Sequence, residues 1–507
     1  MKLSLLKGPP EGFGLVIGAA AAAVVVYLFR TWWSLRHIPG PFLASITNLQ
    51  RVWWVKTKKA YLHHQAVHAK YGDIVRTGPN MVSIANPEAI PTVYPIRPGF
   101  TKGDFYLALR PYSEERGTVP LVFNIQDEAA HKQAKTPIAP FYSLTNVMAF
   151  EGLVDEVLAL FSKQLDQRFV ATGEVFDLGK WIQYFAFDAM GTMSFSRRYG
   201  FLEHGEDPHG VLDAIWAFFT AAAPMTQIPW LHQLLRNSRF MHMFRNKGGN
   251  WLLDYVTKTI SERLRHVETG KHSSSEDFLA RFLEAHRANE GLPAWCPYSW
   301  TFTNVVAGSD SVASLMRTII HNLLAHPATL RRLREELATA DISNQYPKWS
   351  EVRDLPYLDA CVQEAGRIHP PFAMPFERVV PAGGTTVLGH YLPEGTVVGG
   401  SAYVVGRHKP TFGHDAESWS PERWLCPAAE KKRLEQSLLT FGGGRRVCLG
   451  KHIGILEIKK LIPFLLLNYE FEIINPAPLE IEHQFFLKQG GLECRIQKRD
   501  HPQCKSE

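Results

Sequence analysis

From Trp300 to Leu324 the chain runs without a proline, and its apolar side chains fall on every side of a helical projection instead of one stripe. A helix of that kind is stable when other structure covers all its faces. At ~1.5 Å per residue it spans close to 40 Å, so one large body must enclose it. The composition, 45% hydrophobic and 21% charged over 507 residues, suffices for such a core, and no internal repeat or long linker divides the chain. Helical periodicity dominates from about residue 125 to 340, as in FEGLVDEVLALFSKQL at 150–165. GDIVRTGPNMVSIANP reads as two short strands across the turn Gly78-Pro79-Asn80. VETGKHSSSED (267–277) reads as a surface loop, and the stretch after Lys409 as loops rich in Gly, Pro and Trp. A last helix, KHIGILEIKKLIPFLLLNY, follows. The predicted fold is mainly α with minor β-sheets.

Gly12 to Phe29 is uncharged for 18 residues and is followed by Trp32 and Trp33. About 20 apolar residues cross a bilayer, and tryptophans beside an arginine suit its interface. A cleaved signal peptide is the rival, but the apolar run continues past its alanines with no polar cleavage region. The expected division is an anchor over 1–35 and one large body over 36–507. The Pro-Gly-Pro segment of 36–41 forms a stiff joint between them. Lys2 and Lys7 on one side balance Arg30 and Arg36 on the other, which leaves the orientation open. The six cysteines form no C-x-x-C pair, pointing to a reducing compartment. A net charge of +6 without a basic stripe argues against nucleic acid as a partner.

The chemistry concentrates in FGGGRRVCLG, residues 441–450. A cysteine binds metal or attacks as thiolate, and neighbouring cations or a helix N-terminus lower its pKa. Cys448 follows Arg445 and Arg446 and precedes the last helix. Gly442, Gly443, Gly444 and Gly450 let backbone approach a flat ligand closely. The segment lacks the G-K-[ST] of a phosphate loop. A cysteine nucleophile with a base elsewhere, or a purely structural loop, stays open on these residues alone.

Phe441, Gly444, Arg446, Cys448 and Gly450 together fit F-x-x-G-x-R-x-C-x-G, and the chain resembles the cytochrome P450 enzymes. EAGR (Glu364 to Arg367) and Arg423 in PERW match further landmarks, as does AGSDS (Ala307 to Ser311) in the central helix. The resemblance implies haem b with Cys448 as the axial thiolate on iron, Phe441 beside the sulfur, and Arg446 on a haem propionate. Thiolate ligation pushes electron density onto the iron. His131 and Lys135 stand where many relatives carry W-x-x-x-R, and Arg378 matches another propionate-binding arginine. Glu364, Arg367 and Arg423 would form a buried structural network bracing the cysteine loop. Gly308, Asp310 and Ser311 would form a widened helix and an acid–alcohol pair that supplies protons, with serine where threonine is usual.

By the same resemblance, O2 and a hydrophobic small molecule are the substrates. Ala307, Phe372, Ala373, Met374 and Phe486 line the pocket, with the stretch from Phe105 to Val122. Electrons come from NADPH–cytochrome P450 reductase, docking near Arg445, Lys451, Lys459 and Lys460. The body faces the cytosol from the endoplasmic reticulum membrane. DEAAHKQAKTPIAPFYS and SWSPERWL look most like the fungal pisatin demethylase-like group, which implies hydroxylation or O-demethylation in secondary metabolism. A haem-thiolate isomerase or dehydratase without reductase, and a membrane-tethered haem-binding protein without turnover, are the alternatives.

Overall fold

The computed structural model describes residues 13–113, 117–236, 247–268, 277–342 and 346–499. The loop read at 267–277 falls mostly outside them, as do Lys2, Lys7 and Cys504.

The fold is mainly helical. Helix α1 covers Phe13–Ser34, α2 Glu128–Lys135, α3 Leu178–Phe195, α4 Cys296–Ala325, α5 Pro356–Ile368 and α6 Lys451–Asn468. The apolar segment that opened the sequence reading is α4, one turn longer at its start. Pro297 sits in its first turn, where no amide hydrogen is required. His326, held extended before Pro327, ends it. Its hydroxyls bond back one turn, as Thr301 to the Pro297 carbonyl (2.7 Å) and Thr318 to that of Ser314 (2.9 Å), so polar groups are satisfied inside an apolar core. α3 and α6 pack along it. The helix predicted at 150–165 runs Glu151–Leu165. The stretch read as loops after Lys409 contains a further helix, Ala428–Gln436, whose AAEKKRLEQ is rich in good helix formers.

Five short strands make one mixed sheet: β1 Ile74–Gly78, β2 Met81–Ile84, β3 Thr101–Lys102, β4 Arg378–Val379 and β5 Val397–Gly400, in the order β1-β2-β5-β4-β3. β1 and β2 are the hairpin read from the sequence, paired antiparallel from Ile74↔Ile84 to Gly78↔Met81. A separate hairpin joins β6 (Glu480–His483) to β7 (Leu487–Gly490).

Residues 36–41 are bolted to the body. Leu35 and Ile38 are buried with Ile74, Val82 and Val398 of the sheet. The Arg76 amide donates to the Pro39 carbonyl at 2.8 Å. The Arg76 guanidinium donates to the carbonyls of Thr31 and Trp32, both at 3.1 Å, capping the negative end of α1 with a cation. Among the described residues, no single helix is long and apolar enough to cross a membrane.

Candidate active site

A cavity of about 310 Å³ opens between α4, the cysteine loop and the β6–β7 turn. The loop is shaped from within. The Cys448 amide donates to the Phe441 carbonyl at 2.8 Å. Gly442 and Gly444 take φ of 72° and 60°. A Cβ at Gly444 would lie 2.3 Å from the Tyr94 carbonyl oxygen, so glycine is needed there twice over. Gly450 has ordinary backbone and open space where a Cβ would stand, at the cavity edge.

Cys448 keeps accessible surface and lines the cavity. Burial pushes its thiol up, against the Gly450 and Lys451 amides and the Lys451 and Lys135 charges, which pull it down. Arg445 and Arg446, expected to lower it, are not among the main causes. Both arginines point to Glu128, at 3.0 Å and 2.7 Å, and Arg446 also donates to the Ile125 carbonyl at 2.9 Å.

Lys102, His131, Lys135 and Arg446 line one edge of the cavity. Lys135 donates to the Arg445 carbonyl at 3.1 Å. His131 is pushed down to about 3 by burial and then by Arg446, Lys102, Lys135 and Arg445, and is neutral at pH 7. Arg378 is absent from the lining. It donates to the Tyr106 hydroxyl (3.1 Å) and pairs across strands with Lys102. Lys102 is the residue the sequence reading missed. It is buried, donates to the Phe123 carbonyl and stands over the Phe123 and Tyr106 rings at 4.1 Å and 4.2 Å. Burial, with the charges of Arg378 and Arg446, holds its ammonium well below the ordinary lysine range. Lys102, Lys135, Arg445 and Arg446 thus gather at one edge, with Arg378 next to Lys102 across the strands, and the Glu128 carboxylate bonds to Arg445 and Arg446 alone among them. That surplus of positive charge suits the two propionates of a haem.

Glu364 and Arg367 are wholly buried and paired bidentately at 2.8 Å and 2.7 Å. Arg367 also donates to the Gly406 and Ser418 carbonyls, both at 2.9 Å, and Glu364 accepts from the Ser420 amide (2.8 Å) and the Trp424 indole (2.9 Å). Arg423 approaches Glu364 to 3.7 Å and bonds chiefly to Asp415, at 2.9 Å and 3.0 Å. The brace reaches the cysteine loop through Thr440, whose hydroxyl donates to the Gly366 carbonyl at 2.7 Å.

On the opposite wall α4 presents Thr303, Val306, Ala307 and Ser311 to the cavity. α4 is helical through Gly308, where the resemblance implies a widening. A Cβ at Gly308 would stand 2.3 Å from Met190 Cε on α3, the far end of a flexible side chain that would have to shift. The Ser311 hydroxyl donates to the Ala307 carbonyl at 2.6 Å. Asp310 is not in the lining and accepts from Gln183 Nε2 at 2.6 Å on the α3 side.

The substrate wall is aromatic: Phe123, Phe218, Phe219, Phe372, Phe485 and Phe486. Phe485 stacks on Phe219 at 4.6 Å and meets Phe372 edge-on at 4.9 Å. Ala373 and Met374 do not line it. The Ala373 carbonyl accepts from Ser401, and Met374 is buried beside Gln227. Of the stretch from Phe105 to Val122, Leu109, Leu121 and Val122 line the cavity, whereas Phe105 is core.

A family model for cytochrome P450 matches residues 39–494. The chain is a cytochrome P450. It is 56% identical over 496 residues to the cytochrome P450 monooxygenase mfmA of Annulohypoxylon moriforme, covering 96% of each chain. It is 49% identical to the monooxygenase AFLA_114810 of Aspergillus flavus, covering 96% of this chain and 97% of that one. With the monooxygenase mpaDE of Penicillium brevicompactum it shares 54% identity over 95% of its own length but spans 58% of that protein. The P450 is thus a haem-thiolate monooxygenase with haem b as cofactor. Two lysines assigned to reductase docking are corrected: Lys459 and Lys460 are buried, the first paired with Asp359 at 2.5 Å, the second with Glu151 (2.7 Å) and Asp155 (2.8 Å).

Proposed function

We propose that Cys448 is the axial ligand of haem b and that the P450 oxygenates a hydrophobic small molecule held against the phenylalanine wall. The observation that carries this is the placement of Cys448 and Ala307 in one cavity with that wall. Haem supplies the iron at which O2 is split, one atom going to the substrate and one to water. Around it, Arg446, Lys102, Lys135 and, from behind Lys102, Arg378 would hold the propionates, His131 lines the same edge, and Ser311 would pass protons. The apolar wall excludes bulk water and favours a hydrophobic substrate.

The fungal relatives and the pisatin demethylase-like motifs support hydroxylation or O-demethylation in secondary metabolism. NADPH–cytochrome P450 reductase would dock on the cysteine side, where Lys132 and Lys451 are exposed beside Arg445. Helix α1 and the exposed Phe42, Leu49, Trp53, Trp230 and Leu234 support attachment to the endoplasmic reticulum membrane with the body in the cytosol.

Co-expression with the reductase should yield NADPH-dependent products heavier by one oxygen or lighter by a methylene. The reduced, carbon monoxide-bound protein should show a red-shifted Soret band that Cys448→Ala abolishes. Persistence of the band would remove Cys448 as ligand, and turnover without NADPH or reductase would favour an isomerase or dehydratase.

A further inference from the structure

The resemblance makes Asp310 the acid of the proton-delivery pair, yet Asp310 is absent from the cavity lining and its carboxylate bonds on the α3 side. It lies deep in the fold but keeps accessible surface. Gln183, on α3, donates to Asp310 Oδ1 through Nε2 at 2.6 Å, and its Oε1 accepts from Arg317 at 2.8 Å. Arg317 can only donate and an ionised carboxylate can only accept, so the amide has one productive orientation. Arg317 is itself fixed. It is buried, donates to the Gln489 carbonyl at 3.2 Å, and has Asp177 nearby. Gln489 in turn donates to the Thr318 hydroxyl at 2.8 Å. The groups facing Asp310 are therefore Gln183 from α3, Arg317 from its own helix and Lys488 from β7.

We propose that Gln183 is a positioning residue for Asp310: held by Arg317, its amide keeps the carboxylate on the α3 side of the central helix. There Asp310 collects protons from solvent and hands them to Ser311. Each proton taken from water leaves through the Ser311 hydroxyl into the cavity, to be consumed in reducing one oxygen atom to water, and Asp310 ends each cycle ionised. Gln183 stabilises the ionised form, because its N–H bonds to the charge. Removing that bond raises the pH at which Asp310 releases its proton, and a carboxylate in its place raises it further. The proposal rests on the monooxygenase reading.

The test uses the full-length enzyme with Gln183→Met, which keeps length and apolar volume, Gln183→Glu, Asp310→Asn, and the double variant Gln183→Met/Asp310→Asn. Infrared spectra of the haem-free and haem-loaded protein, with the Asp310 carboxyl band assigned by its loss in Asp310→Asn, give its pH midpoint. That midpoint should rise by about one pH unit or more in Gln183→Met and by more in Gln183→Glu. Under turnover, Gln183→Met should send a several-fold larger share of NADPH electrons to hydrogen peroxide and enlarge the solvent deuterium isotope effect. KM and the carbon monoxide spectrum should stay as in wild type. In the Asp310→Asn background Gln183→Met should add nothing. An unchanged midpoint, or a peroxide penalty that persists in full without Asp310, overturns the proposal. Loss of the thiolate spectrum or of NADPH-dependent turnover in the wild type would instead overturn the monooxygenase reading, while the infrared result would stand.

Discussion

Adding one methyl group at Gly444 would place its carbon 2.3 Å from the Tyr94 carbonyl oxygen, on backbone already at φ 60°. Gly444→Ala should therefore lower stability by about 2 kcal/mol or more, seen as a fall in thermal midpoint with or without haem. Gly450→Ala meets no protein atom within 4 Å. It should leave the haem-free midpoint unchanged and reduce haem retention. Those two outcomes would separate a glycine the chain itself requires from one the cofactor requires. Lys102→Met removes a buried cation that the haem-free protein strains to hold, so it should raise the haem-free melting temperature and narrow the gap between the two forms. The signature residues were readable in the sequence because ligand chemistry fixes their spacing. Lys102 was not, since its place comes from pairing with Arg378 across strands 276 positions apart. Ala373 is off the cavity although Phe372 lines it, as adjacent side chains on extended backbone point to opposite sides; Met374 is buried beside Gln227, a tertiary contact that spacing does not reveal.

At the scale of elements, the contact between α3 and α4 sets the wall opposite the cysteine. Gly308→Ala should cost about 1 kcal/mol or less, because the Met190 methyl it meets ends a flexible side chain and alanine favours the helix. Shortening Met190 to alanine should return part of it, so the double variant costs less than the two single costs added together. Chemical denaturation of the four forms measures this. α4 was legible because an apolar surface on all sides has one physical solution. The short helix Ala428–Gln436 was not, since it is solvent-facing and packs by one buried leucine, Leu434. In the Glu364–Arg367 brace the sequence supplied the partners but not their ranking, which burial decides: Arg423 spends its charge on Asp415.

For the whole molecule, acid is the informative perturbation. His68, His369 and His483 are buried and pushed down by that burial to about 4, 3 and 3. As pH falls below ~6.5 the unfolded chain takes up these protons first, so the stability they contribute at pH 7 is lost progressively towards pH 3–4. Buried carboxyls held up by desolvation, Glu457 and Asp310, act in the opposite direction. Differences between variants are therefore the cleaner measure. Neither ring nitrogen of His483 has a hydrogen-bond partner among the described residues. His483→Leu should gain on wild type by up to about 1.4 kcal/mol per pH unit between pH 6 and 4, read from urea midpoints.

The guanidinium of Arg76 grips the last carbonyls of α1 while its own amide holds the Pro39 turn. On the membrane-attached reading, such a grip removes the swivel that a tether would otherwise allow. The globular part would ride the lipid surface at a set tilt, like a keel fixed to its hull. The mouth of the pocket would then sample one depth of the bilayer, and greasy molecules would be selected by where they dissolve before any phenylalanine touches them.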